Sequence, residues 1–226
     1  MTTKTAQSAI SAIQAHGILL VYPIDNRKKP QSLWSVFYPK TRMRWEWDQD
    51  GDDRVARLWQ LREELSRSGE VVYSKWYRGR ATFFSKTIFE SLLALMGTTR
   101  VTWQASLGQD SAQILELLRL DSPLSTKQIK KSLDLTGRSM EPRFNRAMQE
   151  LWQKLFIVGY GEVDDGAFPS LATGCTQLLF EDLWGGAHRL SPDTARQTLV
   201  GQLGAESLFV RYLEKLKVKH RATSLR

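Results

Sequence analysis

The chain has a single cysteine, Cys175, so no disulfide can form within it, and a reducing compartment, the cytoplasm, is the expected setting. Its three histidines, His16, His188 and His220, are far apart and none has metal-ligand spacing, which argues against a zinc site. Long apolar runs are missing too. The longest, GILLVYPI at 17–24, is too short to span a bilayer and has neither a basic leader nor a small-residue cleavage site, so no membrane span or export signal is expected. No glycine-rich phosphate loop ending in Lys-Ser/Thr occurs, and GTT at 97–99 reads as a helix stop. DQDGDD at 48–53 has the acids of a calcium loop, yet counting from Asp48 the sixth position is Asp53 instead of glycine and the twelfth is Trp59 instead of glutamate. The expectation is a chain with no cofactor and no metal.

What is present is positive charge. A formal +8 over 226 residues points to an acidic partner, nucleic acid first, while 42% hydrophobic residues suffice for a sizeable core in one large or two small domains. Ala6, Ile10 and Ile13 predict a helix broken by Gly17, followed by a strand at 18–21 and a turn, DNRKKP. SLWSVFYP predicts a short helix stopped by Pro39, and RMRWEWDQDGDD an extended stretch. Asp52 or Asp53 then caps a helix through Leu58, Leu61 and Leu65 that ends at Ser68-Gly69. VVYSKWYRGRATFF reads as strand, Arg-Gly turn, strand, and Ser85 caps a helix closed by Gly97.

A less regular stretch at 98–109 is taken as a boundary. Beyond it, Asp110 caps a helix with Ile114, Leu117, Leu118 and Leu120 on its apolar face. Ser125 and Gln128 form a capping box for a second helix, and Ser139 caps a third of about four turns. LFIVGYGEV, a DDG turn and AFPSLATG complete three helices and a hairpin, the order of a winged helix.

On the third helix Phe144, Met148, Leu151, Trp152 and Leu155 form one stripe, and Arg143, Arg146, Gln149, Glu150 and Gln153 lie opposite. Arginine suits guanine O6/N7 and glutamine adenine N6/N7 in the major groove, so this face is the expected DNA surface. Lys127, Lys130 and Lys131 on the second helix and Arg138 in the turn support it, as do Lys215, Lys217, Lys219, Arg221 and Arg226 near the C-terminus. The wing is acidic, with Glu162, Asp164 and Asp165 expected to repel phosphate. The first hairpin interleaves Tyr73, Trp76, Tyr77 and Phe83 with Lys75, Arg78 and Arg80; alternation puts about half of these aromatics in the core and leaves a basic ribbon able to follow a phosphate backbone. Trp45, Glu46, Trp47 and Asp48 are a candidate base pocket, aromatic for stacking and acidic for a base edge. Cys175 has no histidine near it in sequence and reads as a buried structural residue.

The segment at 111–184, above all EPRFNRAMQELWQKLFIVGYGEVDDGAFPSL and LLFEDLW, resembles the winged-helix region of the AlkZ/YcaQ family of bacterial DNA glycosylases, and SLWSVFYPKTRMRWEWDQD and VVYSKWYRGRATFFS are similar to its shorter AlkZ-related members. The resemblance implies tandem winged helices and a role around DNA repair. The glycosylases are much longer, add a β-barrel, and use a catalytic Gln-x-Gln or Gln-x-Asp. Neither spacing occurs at any glutamine here, so no catalytic residue is carried over.

The expectation is an α+β protein of tandem winged-helix-like units: an N-terminal unit at 1–108, a winged helix at 109–186, and a helical extension with a basic tail at 187–226. The extension, begun by Ser191-Pro192 and carrying Leu208, Phe209, Tyr212, Leu213 and Leu216, packs back on the body. The expected function is sequence-tolerant binding of double-stranded DNA, without a membrane. The alternatives are a glycosylase-like nucleobase enzyme acting through a carboxylate such as Glu46 or Asp48, and a protein-interaction module using the acidic wing and the C-terminal helix.

Overall fold

Thr3 opens the first helix, its hydroxyl accepting from the amide of Ala6, and Gly17 closes it at φ 74°, a conformation that disfavours a side chain. The computed structural model describes residues 3–45, 53–100, 104–165 and 170–224, with side chains to 218. In chain order the elements are α1 (Lys4–His16), β1 (Ile18–Leu20), α2 (Leu33–Phe37), α3 (Asp53–Arg67), β2 (Val71–Ser74), β3 (Thr82–Ser85) and α4 (Lys86–Met96). There follow α5 (Gln109–Leu120), β4 (Leu124–Ser125), α6 (Thr126–Ser132), α7 (Glu141–Gln153), β5 (Ile157–Val163) and β6 (Ser170–Cys175). The chain ends with α8 (Thr176–Leu179), α9 (Glu181–Arg189), α10 (Pro192–Leu203) and α11 (Leu208–Ser224). Mixed helix and sheet make this an α+β protein.

The order helix, strand, helix, helix, strand, strand occurs twice, as α1 to β3 and as α5 to β6. Both second helices begin with a capping box, Ser32 with Ser35 and Ser125 with Gln128. The strands join into one six-stranded sheet, β1-β3-β2-β5-β6-β4, which crosses the stretch at 98–109. Each half contributes the same order read outward from the middle, and β2 meets β5 antiparallel at Tyr73 and Gly159. That pairing relates the halves by an approximate two-fold axis perpendicular to the sheet.

The axis puts both helix triplets on one face. Val71, Tyr73 and Phe83 pack with α1, α2 and α3, and Ile157 and Cys175 with α5, α6 and α7, while Leu171 touches both groups. Val72, Phe84 and Val158 point the other way, into a core made by α4 and the C-terminal helices. A sheet covered on both faces explains one departure from expectation. Tyr73, Trp76, Tyr77 and Phe83 are all buried, where alternation alone would leave about half of them outside.

Other local expectations need correction. Asp110 is not the cap of α5; Gly108 holds that position and Asp110 lies in the first turn. Ser139 does not cap α7 either, since Met140 precedes it without a side-chain cap and Pro142 stands near the helix start. The last pair of β5 is Val163↔Ser170, and the expected Asp-Asp-Gly turn runs into 166–169, which lie outside the described residues. Of the strand or extended loop that RMRWEWDQDGDD suits, residues 42–45 show no strand, and 46–52 lie outside the described residues. The C-terminal extension is two helices: Ser191 caps α10 through the amide of Thr194, whereas Leu208, Phe209, Tyr212, Leu213 and Leu216 belong to α11. Phe209 and Tyr212 stack edge-on against Tyr77, which seats α11 on the first hairpin.

Candidate nucleic-acid interface

Phe144, Ala147, Met148, Leu151 and Trp152 anchor α7 in the core, and Leu155 just beyond it is buried as well. The spacing of these residues turns Arg143, Arg146 and Gln149 to solvent. Arg143 is already engaged, its Nη2 at 2.7 Å and Nε at 3.2 Å from the Asp110 carboxylate of α5. That hydrogen bond holds the Asp110 carboxyl below its usual range, and the charge of Arg146 adds to the effect. Arg146 itself makes no hydrogen bond among the described residues and, with Gln149, forms the open part of the face.

Glu150 and Gln153, expected beside them, are only half exposed. Glu150 accepts from Ser111 Oγ at 2.5 Å, from Lys154 Nζ at 2.7 Å and from the amide of Gly108 at 3.2 Å. Burial pushes its carboxyl up, but the hydrogen bonds from Lys154 and Ser111 outweigh that and hold it low. It is a strut between α5 and α7.

The basic residues of α6 divide in the same way. Lys130 reaches Glu141 at 2.5 Å and lies 4.8 Å from the Phe144 ring centroid, and Lys127 donates to the Asp165 carbonyl at 2.6 Å. Lys131 and, in the turn before α7, Arg138 are exposed and unpaired among the described residues.

The acids of the β5–β6 hairpin are partly neutralised by pairing. Glu162 is ion-paired with Arg62 of α3 and its carbonyl accepts from Arg67 at 2.6 Å, while the amide of Gly161 donates to Ser66 Oγ at 2.8 Å. Asp165 accepts from Ser125, a contact that holds its carboxyl low. Asp164 stays exposed.

In the first hairpin, Arg78 and Arg80 are exposed, but Lys75 is half-buried, and burial with the nearby Arg62 charge pulls its pKa down. Arg78 and Gly79 both have positive φ, the backbone of a tight hairpin turn. Because β2 and β5 run antiparallel, this turn and the Val163 end of β5 lie at opposite ends of the sheet. Trp45 packs against Tyr22 at 5.4 Å between centroids and remains 37% exposed; Glu46, Trp47 and Asp48 lie outside the described residues. So do the side chains of Lys219, Arg221 and Arg226.

Sequence reasoning treated α3 as a core helix and missed its outer face. Trp59 is 47% exposed there with the Arg62 guanidinium 4.0 Å from its ring centroid, and Arg57 and Gln60 flank it in sequence. The signal was a tryptophan out of step with Val55, Leu58, Leu61 and Leu65.

Cys175 is buried and burial raises its thiol pKa. Among the described residues no cluster of three or more His, Cys, Asp or Glu is placed to hold a metal ion, and no helix is long and apolar enough to cross a membrane. No curated protein and no solved structure matches this chain. A family model described as AlkZ related matches residues 3–207, nearly the whole chain, and the chain belongs to the AlkZ-related family.

Proposed function

We propose that this protein is a cytoplasmic double-stranded-DNA-binding protein of the repair or regulatory kind, built as two winged helices and contacting DNA through α7 and the turn before it. The observation that carries the reading is the set Arg146 and Gln149 on α7, whose other side is fixed in the core, Arg138 in the turn before it and Lys131 on α6, all exposed. The repeated strand order, with the first strand of each unit beside the third, supports the winged-helix reading. Membership of an AlkZ-related family supports the link to repair.

On this reading the contacts rank by how free each side chain is. Arg146, Arg138 and Lys131 meet phosphate directly, and Gln149 lies between them and the helix end, placed for a base edge. Arg143 and Lys130 join only by exchanging Asp110 and Glu141 for phosphate. Internal pairing of Glu162 and Asp165 removes much of the repulsion expected of the wing, and it weighs against an acidic docking surface.

Duplex affinity measured against salt tests this. Affinity is expected to fall steeply as salt rises, and Arg138→Ala/Arg146→Ala to flatten the logarithmic slope by about two, roughly one per lost phosphate contact. Arg143→Ala should change the slope less. An absence of duplex binding at low salt would sink the reading.

A further inference from the structure

Trp59 is the one large aromatic of α3, and it lies off the stripe of Val55, Leu58, Leu61 and Leu65 that holds the helix to the sheet. Nearly half of its surface is open, at 47% exposure, although α3 has a core to bury it in. One side of the ring is covered by Arg62, whose guanidinium carbon is 4.0 Å from the ring centroid. Arg62 is only 5% exposed and is ion-paired with Glu162 of the other unit, so the cation is fixed and restrains the indole. Beneath it, Arg62 Nε and the Tyr73 hydroxyl are buried without a hydrogen-bond partner among the described residues.

We infer that Trp59, backed by Arg62, is a stacking platform for an unpaired nucleobase at the seam between the two units. The inference rests on the DNA-binding reading above and adds a ligand class to it. The chemistry selects the ligand. A cationic guest, such as a methylated ammonium, would meet the Arg62 charge already on the ring. An aliphatic guest would gain area but no specific geometry. A flat nucleobase stacks on the open side at small entropic cost, because the ring is already held.

The neighbouring acids of α3 are occupied, Glu63 by Arg67 and Glu64 by the amide and hydroxyl of Thr3. Both helix triplets share one face of the sheet, so a strand held at α7 runs on the side that presents Trp59.

The test compares binding of an intact duplex with the same duplex carrying one unpaired 2-aminopurine, for the wild type, Trp59→Phe and Trp59→Ala. The wild type should prefer the unpaired form by on the order of tenfold, with quenching of the 2-aminopurine emission. Trp59→Ala should lose both preference and quenching, and Trp59→Phe keep part of each, with intact-duplex affinity the same in all three. Circular dichroism confirms the fold of the variants, which is expected to survive because the side chain is half exposed. Equal binding of both DNA forms by the wild type, or a preference that persists in Trp59→Ala, overturns the platform while leaving duplex binding in place. Failure to bind any DNA overturns the platform and the DNA-binding reading together.

Discussion

Glu150 shows how a residue read as part of a binding face can belong to the frame behind it. Its carboxylate gathers Ser111, Gly108 and Lys154, and Lys154 is itself only 5% exposed, with its Nζ also 3.1 Å from the Ser106 carbonyl. Glu150→Gln removes a carboxylate from beside that buried ammonium and should cost about 1–2 kcal/mol at neutral pH. The sign of the pH dependence follows from the folded carboxyl lying below its unfolded value. The stabilisation is full above the unfolded pKa and is lost as pH falls through the folded one. Thermal melts of both proteins should therefore differ at neutral pH and converge in acid; a constant gap would mean that the carboxylate charge is not what matters. Nothing in the local pattern signals this role, because an acid at a solvent-side helical spacing reads the same whether it faces water or a neighbouring helix. Asp110 misleads for the same reason: an acid in a first turn suits both a helix cap and an arginine one helix away.

Elements were more legible than their surroundings. Hydroxyl caps at Ser85, Ser125 and Ser191 and glycine stops at Gly17 and Gly97 are local chemistry, and sequence shows them directly. Strand alternation separates two faces but does not say whether each is covered, and the first hairpin is covered on both by elements distant in the chain. The join of β2 with β5 was equally hidden, since it depends on an absent side chain. A Cβ on Gly159 would stand 2.3 Å from Tyr73 Cδ1, far inside contact distance, at the residue pair that links the two halves of the sheet. Gly159→Ala should destabilise the protein by about 1–3 kcal/mol through overpacking, read as a lower denaturation midpoint. Unchanged stability would show that Tyr73 has room to move aside.

At the scale of the molecule, shared cores bind the two units together. The C-terminal helices build the same core as β1, β2, β3 and α4, and that core takes in Leu155 and Val158 of the second unit. Chemical denaturation should accordingly give one transition, coincident by tryptophan fluorescence and far-ultraviolet circular dichroism, and two resolved transitions would show that the units are energetically separate. The approximate two-fold axis through the Tyr73–Gly159 join has a consequence for how the two halves can differ. In a dimer of identical chains, a substitution on one third helix appears on both, and the pair comes apart on dilution. Here both halves are one polypeptide, so their docking is independent of concentration and each helix varies alone. The chain is in effect a tethered heterodimer, with an arginine-glutamine face on one arm and a tryptophan on the other.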